Sequence, residues 1–383
     1  MSSVAVIQLC NNVYLGRELT KEEFGLYSFV FLNVAHLLAI FLIFGQGASV
    51  VRYFSSKTIE DYQWKKYLFK FLLLIIFPLI ITSFTVKIIY HLDWFWFYMI
   101  AGGSFLLCNT NLTGAFFRAR GWFNQAIIIE RANPIVFFIL LLFFFLFGKM
   151  NLDIASYLKL FSFLSVMPFI FYILANWNEG QIQVETKIYS DGISLWELSL
   201  TVIVLYHIDA FFIAKLLGYK ELALFSVMIA IMRIYEFASV SLFSVYSQKF
   251  SKNRDINIKL FFKFLLIIVL FIGIFYLLFT NIILEILFKG KYYASFILIV
   301  LFTIYGSINL LYVLPSCYLV GHSDKKEMRQ MLLGNIISIV IRIIIIYVLY
   351  DYGLFGFLLA GIISMGTRTG VGYYIIFNNR SNA

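Results

Sequence analysis

Apolar residues in this chain fall into long, nearly uninterrupted blocks separated by short polar stretches. Eleven blocks are long enough to cross a bilayer as helices: 24–51, 68–91, 94–117, 126–148, 155–176, 193–217, 222–246, 260–288, 294–320, 328–350 and 353–377. Blocks of this length are continuously apolar. They do not alternate over ten residues as the strands of a membrane barrel would, so helices are the expected form. A twelfth candidate, residues 1–15, is apolar but interrupted by Gln8, Asn11 and Asn12. As a helix it would reach only about 21 Å at 1.5 Å per residue, against a hydrocarbon core of ~30 Å. It reads as a first span that is short or that has lost its beginning. It lacks the basic start and the small-residue cleavage site of a secretory leader.

Composition agrees with that pattern. The chain of 383 residues is 62% hydrophobic and 13% charged. A soluble domain carries roughly 25% charged residues, so too few charges are present to cover a water-exposed surface. The expectation is an all-α integral membrane protein of about twelve transmembrane helices.

The formal charge of +10 changes the picture only through its placement. With both termini on the cytoplasmic side, inner loops hold 17 Lys and Arg and outer loops hold 8, as the positive-inside rule requires. There is no separate basic domain and no basic patch interleaved with aromatics, so nucleic acid is excluded as a partner. Cys10, Cys108 and Cys317 sit in apolar segments without metal or disulfide spacing and read as small hydrophobes.

The longest polar interruption, 177–192, carries Glu179, Glu185, Lys187 and Asp191. It divides the chain into an N-terminal six-helix lobe (1–176), a cytoplasmic linker (177–192) and a C-terminal six-helix lobe (193–383). A repeat supports the division. Residues 17–29 align with 215–227, with Leu19/Leu217, Glu23/Glu221, Leu26/Leu224 and Ser28/Ser226 identical. Six spans per half give both halves the same orientation, which predicts a pseudo-twofold axis along the membrane normal.

The loop after the first span reads Gly16-Arg-Glu-Leu-Thr-Lys-Glu-Glu-Phe-Gly-Leu-Tyr27. It resembles the Arg-x-Leu-x-x-x-x-[Phe/Tyr]-Gly-x-[Tyr/Phe] loop of polysaccharide exporters in the multidrug/oligosaccharidyl-lipid/polysaccharide exporter superfamily. The segments Asp209–Gly218, Leu284–Tyr293, Gly321–Lys326, Asn335 and Gly353-Leu-Phe-Gly356 resemble further motifs of that family in the same order. Two features depart from it: the short first helix, and Ala223 where glycine is common. Within the superfamily the pattern is most similar to O-antigen or capsule-type flippases (Wzx-like).

This resemblance implies two lobes around a central cavity and alternating access, without a cofactor. It implies a bacterial cytoplasmic membrane location and a lipid-linked oligosaccharide on undecaprenyl diphosphate as substrate. Membrane lipids and a polysaccharide polymerase are the other implied partners. A lipid II flippase is an alternative. A membrane O-antigen polymerase or glycosyltransferase is another, although outer loops here are only a few residues long.

Charges inside spans cost about 2.5–3.5 kcal/mol each at the bilayer centre on insertion scales, so they mark where to look for function. Arg233 and Glu236 are three apart and share a helix face, continued by Ser244 and Ser247. They line a cavity or form an internal ion pair. Arg342 stands among isoleucines, and Arg368 stands within Gly366-Thr-Arg-Thr-Gly370. Each faces a wet cavity or snorkels toward headgroups. Glu130 and Arg131 begin the fifth span. Asp209 and His207, near the end of the seventh, are candidates for ion coupling or for local pairing. His36 and Asn33 form a candidate packing pair. Arginine suits a diphosphate because its planar fork gives paired bonds to phosphate oxygens and stays charged in a low dielectric.

Pro78, Pro134, Pro168 and Pro315 all lie inside spans and are expected to bend them. The chain has no phosphate-cradling Gly-x-x-x-x-Gly-Lys-[Ser/Thr] segment, and its four histidines are scattered without metal spacing.

Overall fold

The structure, a computed structural model, describes residues 2–54, 61–176, 178, 180–184, 187–251, 258–322 and 325–381. Glu179, Glu185, part of the Gly321–Lys326 motif, and the side chains of Lys187, Asp191, Ser244 and Ser247 lie outside the described residues. Among those described, the architecture is helical throughout, with one isolated parallel bridge between Tyr62 and Ile182. The helices are α1 (Ser2–Glu18), α2 (Lys21–Tyr27), α3 (Ala35–Leu42), α4 (Gln46–Tyr53), α5 (Trp64–Ile89), α6 (Trp94–Ala119), α7 (Phe123–Phe147) and α8 (Leu152–Leu164). They continue with α9 (Met167–Asn176), α10 (Lys187–Leu216), α11 (Tyr219–Ser251), α12 (Ile258–Phe288), α13 (Phe296–Leu311), α14 (Val313–His322), α15 (Lys325–Leu349) and α16 (Leu354–Ser381).

Ten helical runs among the described residues are long and apolar enough to span a membrane. Besides the eight-residue α4, two helices fall outside that set. α1 has 17 residues and buries Asn11 and Asn12. α6 has 26 residues, ample in length, but it is more polar, and Ser104, Asn109, Thr110 and Thr113 are turned inward.

The outer faces are apolar. On α12, Ile267, Leu270, Phe271, Ile274 and Leu278 recur at helical spacing and are 58–74% exposed. A stripe this apolar suits a lipid-facing surface.

Three of the expected continuous spans are broken, each for a local reason. The block 24–51 becomes α2, a wide-turned segment at Ser28–Val34, α3 and α4. In the wide turns Asn33 Nδ2 donates to Ser28 O (3.0 Å), and His36 Nδ1 lies 2.8 Å from Phe31 O. Both side chains therefore bond five residues back along their own helix. α3 stops where Phe44 (φ 46°) and Gly45 (φ 68°) are both left-handed, a conformation a right-handed helix cannot continue through. Gly45 is required there because backbone Gly192 and Trp196 of α10 press against its Cα.

The blocks 155–176 and 294–320 break just ahead of proline. Pro168 and Pro315 fall in the first turns of α9 and α14, where a missing N–H costs nothing. Pro78 and Pro134 stay inside continuous helices.

The chain forms two compact units, Met1–Ile203 and Val204–Ala383, and the dividing point falls within α10. In the first unit a core of Trp64, Tyr67, Phe71, Phe116, Phe117 and Ile129 packs α4, α5, α6 and α7 together. The polar segment before α10 and the first turn of α10 are tied to this unit. Gln63 N donates to Ile182 O (2.8 Å), Trp64 Nε1 to Asn178 O (3.1 Å) and Ser49 Oγ to Ile188 O (2.6 Å).

In the second unit the loop after α12 turns through left-handed Lys289 and Gly290. The Asn281 amide clamps both the N–H (3.4 Å) and the carbonyl (3.2 Å) of Ala294.

Candidate functional site

Intramembrane charge concentrates in the second unit, in two neighbouring arrangements. In the first, Arg342 of α15 is fully buried and ion-paired with Asp209 of α10 at 2.5 Å. Arg342 also donates to Leu205 O, one turn earlier on α10, and to Tyr305 Oη of α13 at 3.3 Å. The guanidinium fits because α16 approaches with a glycine. A Cβ on Gly361 would stand 2.8 Å from Arg342 Nη2 and 3.1 Å from the Tyr305 ring. Asp209 Oδ1 and Arg342 Nε have no hydrogen-bond partner. The pair thus holds three helices at one point. Its net charge is zero.

In the second arrangement, Arg368 lies 14 residues into the 28-residue α16, about 21 Å from either end at 1.5 Å per residue. It is 3% exposed. Its Nε donates to Asn335 Oδ1 of α15 at 3.1 Å, and its guanidinium lies 3.9 Å from the ring centroid of Tyr312 and 5.9 Å from that of Tyr206. Among the described residues no carboxylate pairs with it, and its Nη1 has no hydrogen-bond partner. A delocalised cation on an aromatic face remains charged without an acid beside it. Tyr206 is 48% exposed, so the arrangement reaches the surface of the unit.

The other expected residues lie outside these two arrangements. Arg233 is half-buried on α11 and Glu236 is exposed one turn on. His207 is half-buried and takes no part in the Asp209–Arg342 pair. Glu130 pairs with Arg118 across the turn between α6 and α7, with side chains 23% and 39% exposed. Arg131, half-buried, is outside that pair. The structure therefore joins Asp209 to Arg342, two residues read separately in the sequence.

It also reveals Lys159, which the pattern of charges should have flagged as the lone cation of block 155–176. Lys159 on α8 is 7% exposed. Its Nζ donates to Asn133 Oδ1 at 2.9 Å and lies 4.6 and 5.0 Å from the ring centroids of Phe137 and Phe163. Among the described residues no group of three or more His, Cys, Asp or Glu is placed to hold a metal.

Comparisons with known proteins fit this architecture. No curated protein matches the chain. Among solved structures, the inward-facing form of a multidrug resistance MATE family transporter of the MOP superfamily superposes with a TM-score of 0.75 at 17% identity. That match covers 100% of this chain and 97% of the other. The outward-facing form of a MATE family transporter of the same superfamily gives 0.62 at 16% identity, over 97% and 93%. A MOP superfamily transporter from Pyrococcus furiosus, whose binding pocket is described as having reverse polarity, gives 0.55 at 16% identity, over 97% and 91%. At these identities the likeness concerns the fold. The family model described as polysaccharide biosynthesis protein matches residues 1–235, more than half of the chain. The chain therefore belongs to the polysaccharide biosynthesis protein family, as a multi-pass protein of the bacterial cytoplasmic membrane with the fold of the MOP superfamily transporters.

Proposed function

We propose that this protein is a flippase that carries an undecaprenyl-diphosphate-linked oligosaccharide from the cytoplasmic to the outer leaflet by alternating access. In this reading twelve spans form two six-helix lobes related by a pseudo-twofold axis, with both termini cytoplasmic. The family supports a role in polysaccharide synthesis. The fold supports transport rather than covalent chemistry.

The observation that carries the reading is Arg368, a guanidinium at mid-helix depth whose neighbours are an amide and two tyrosines rather than an acid. Its unused Nη1 suits a phosphate oxygen. Acids, in contrast, are occupied. Of the two buried in the second unit among the described residues, Asp209 is neutralised by Arg342 and Glu327 accepts a hydrogen bond from Tyr318. That favours an anionic substrate over a cationic drug. Arg233 and Arg131, with Glu236 and Glu130 beside them, are further candidate contacts. Asp209 and His207 remain the candidates for ion coupling. A substrate with about two negative charges moving outward gains roughly 4–5 kcal/mol per 100 mV of inside-negative potential if uncompensated, enough to set direction.

The test is translocation of a labelled undecaprenyl-diphosphate-linked oligosaccharide in proteoliposomes. Arg368→Ala lowers the rate at least tenfold at equal protein incorporation, and Arg368→Lys keeps part of it. A wild-type rate for Arg368→Ala rejects the reading.

A further inference from the structure

Each unit holds a buried cation anchored in the same manner. In the second unit Arg368 Nε donates to Asn335 Oδ1 at 3.1 Å. In the first, Lys159 Nζ donates to Asn133 Oδ1 at 2.9 Å. Both asparagines lie ten residues beyond the first residue of their helix, α7 in one unit and α15 in the other. The helix that bears the cation begins 19 residues after the asparagine in both cases, at Leu152 and at Leu354.

Lys159 is seven residues into α8 and Arg368 is fourteen into α16. The difference of seven residues is close to two full turns, so both cations project from the same face of the equivalent helix. Both are held against aromatic faces: Phe137 and Phe163 for Lys159, Tyr312 and Tyr206 for Arg368. Both arrangements leave a buried donor unused. In the first unit it is Asn133 Nδ2, on a residue 5% exposed; in the second it is Arg368 Nη1.

We propose that Lys159 is the phosphate-contacting residue of the first unit, the counterpart of Arg368 in the second, so that each unit carries its own phosphate subsite. The proposal rests on the flippase reading above and deepens it. The ring faces stabilise the ammonium without adding negative charge. Asn133 orients it and contributes a second donor through its free Nδ2. An ammonium serves phosphate as a point charge that tolerates changes of ligand angle, whereas a guanidinium binds in one plane.

The experiment measures binding of undecaprenyl diphosphate, and of uncharged undecaprenol as control, to the full chain in nanodiscs. Lys159→Met weakens undecaprenyl diphosphate at least tenfold and leaves undecaprenol unchanged, while Lys159→Arg stays within threefold of wild type. Inorganic pyrophosphate displaces the lipid from the wild type and not from Lys159→Met.

Wild-type affinity in Lys159→Met overturns the proposal. So does an equal loss of both probes, which marks a packing role, and so does displacement by phosphatidylglycerol as effective as by pyrophosphate, which marks a headgroup site. If Lys159→Met does not fold, Asn133→Ala keeps the ammonium and removes its anchor. A loss of threefold or more is then expected, and unchanged binding overturns the proposal. Arg368→Met separates the two ideas. If it loses affinity while Lys159→Met does not, the flippase reading survives and the first-unit subsite falls. If it binds as wild type while Lys159→Met is impaired, the first-unit subsite stands and Arg368 is removed from phosphate contact.

Discussion

Arg342 donates a 2.5 Å hydrogen bond to Asp209 across 133 residues of chain, and the two side chains are 0% and 4% exposed. Removing one partner of such a pair strands the other charge in a dry interior, at a cost of about 3–5 kcal/mol. Asp209→Ala is therefore expected to lower stability by that amount in equilibrium unfolding from mixed micelles. The double variant Asp209→Leu with Arg342→Met recovers most of the loss, because neither charge is then left unpaired. Equal stability of Asp209→Ala and wild type would contradict the pairing.

Gly361 is expected to be intolerant of even one methyl. A Cβ there lies 2.8 Å from Arg342 Nη2, too close for a buried guanidinium fixed by three partners. Overpacking of this kind costs about 1–3 kcal/mol. Gly361→Ala should destabilise the wild type but be nearly neutral in an Arg342→Met background, where the head group is gone. The same loss in both backgrounds would place the strain elsewhere.

The Arg118–Glu130 pair offers a contrast. Its side chains are 39% and 23% exposed, and water screens such a pair to about 1 kcal/mol or less. Glu130→Gln should shift the unfolding midpoint slightly, and less in high salt. A loss as large as that of Asp209→Ala would show that this end of α6 and α7 is drier than its exposure indicates.

Thr20 and Glu23, in the loop that carries the family motif, close a reciprocal capping box at the start of α2. Glu23 N donates to Thr20 Oγ1 at 3.2 Å, and Thr20 N donates to Glu23 Oε2 at 2.7 Å. Thr20→Ala is expected to cost about 0.5–2 kcal/mol, and Thr20→Gly only a few tenths. Calorimetry or denaturant titration resolves the two. The corresponding loop of the second half has Gly218 (φ 91°) in that place. Glu221, aligned with Glu23, has no side-chain cap to reciprocate, so Glu221→Ala should cost less than Glu23→Ala.

The helical, multi-pass class was legible along the chain because hydropathy is a sum over adjacent residues, and the family was legible in short motifs. Arg342 and Arg368 were legible as costly charges for the same reason. What each one meets was not. Two arginines that look alike in sequence differ in the fold: one is cancelled by Asp209, and the other lies against Tyr312 and Asn335. Partners 133 and 33 residues away are set by the rotation and height of whole helices, which no local window contains. Lys159 was passed over because a single cation in an apolar block hardly changes the block's mean, although its burial against Asn133 needs specific placement of α7 and α8. The helix breaks divide along the same line. Those before Pro168 and Pro315 follow from proline's missing N–H, a covalent fact carried by the sequence. The break at Phe44 and Gly45 follows from the close approach of Gly192 on α10, so only the tertiary structure decided it.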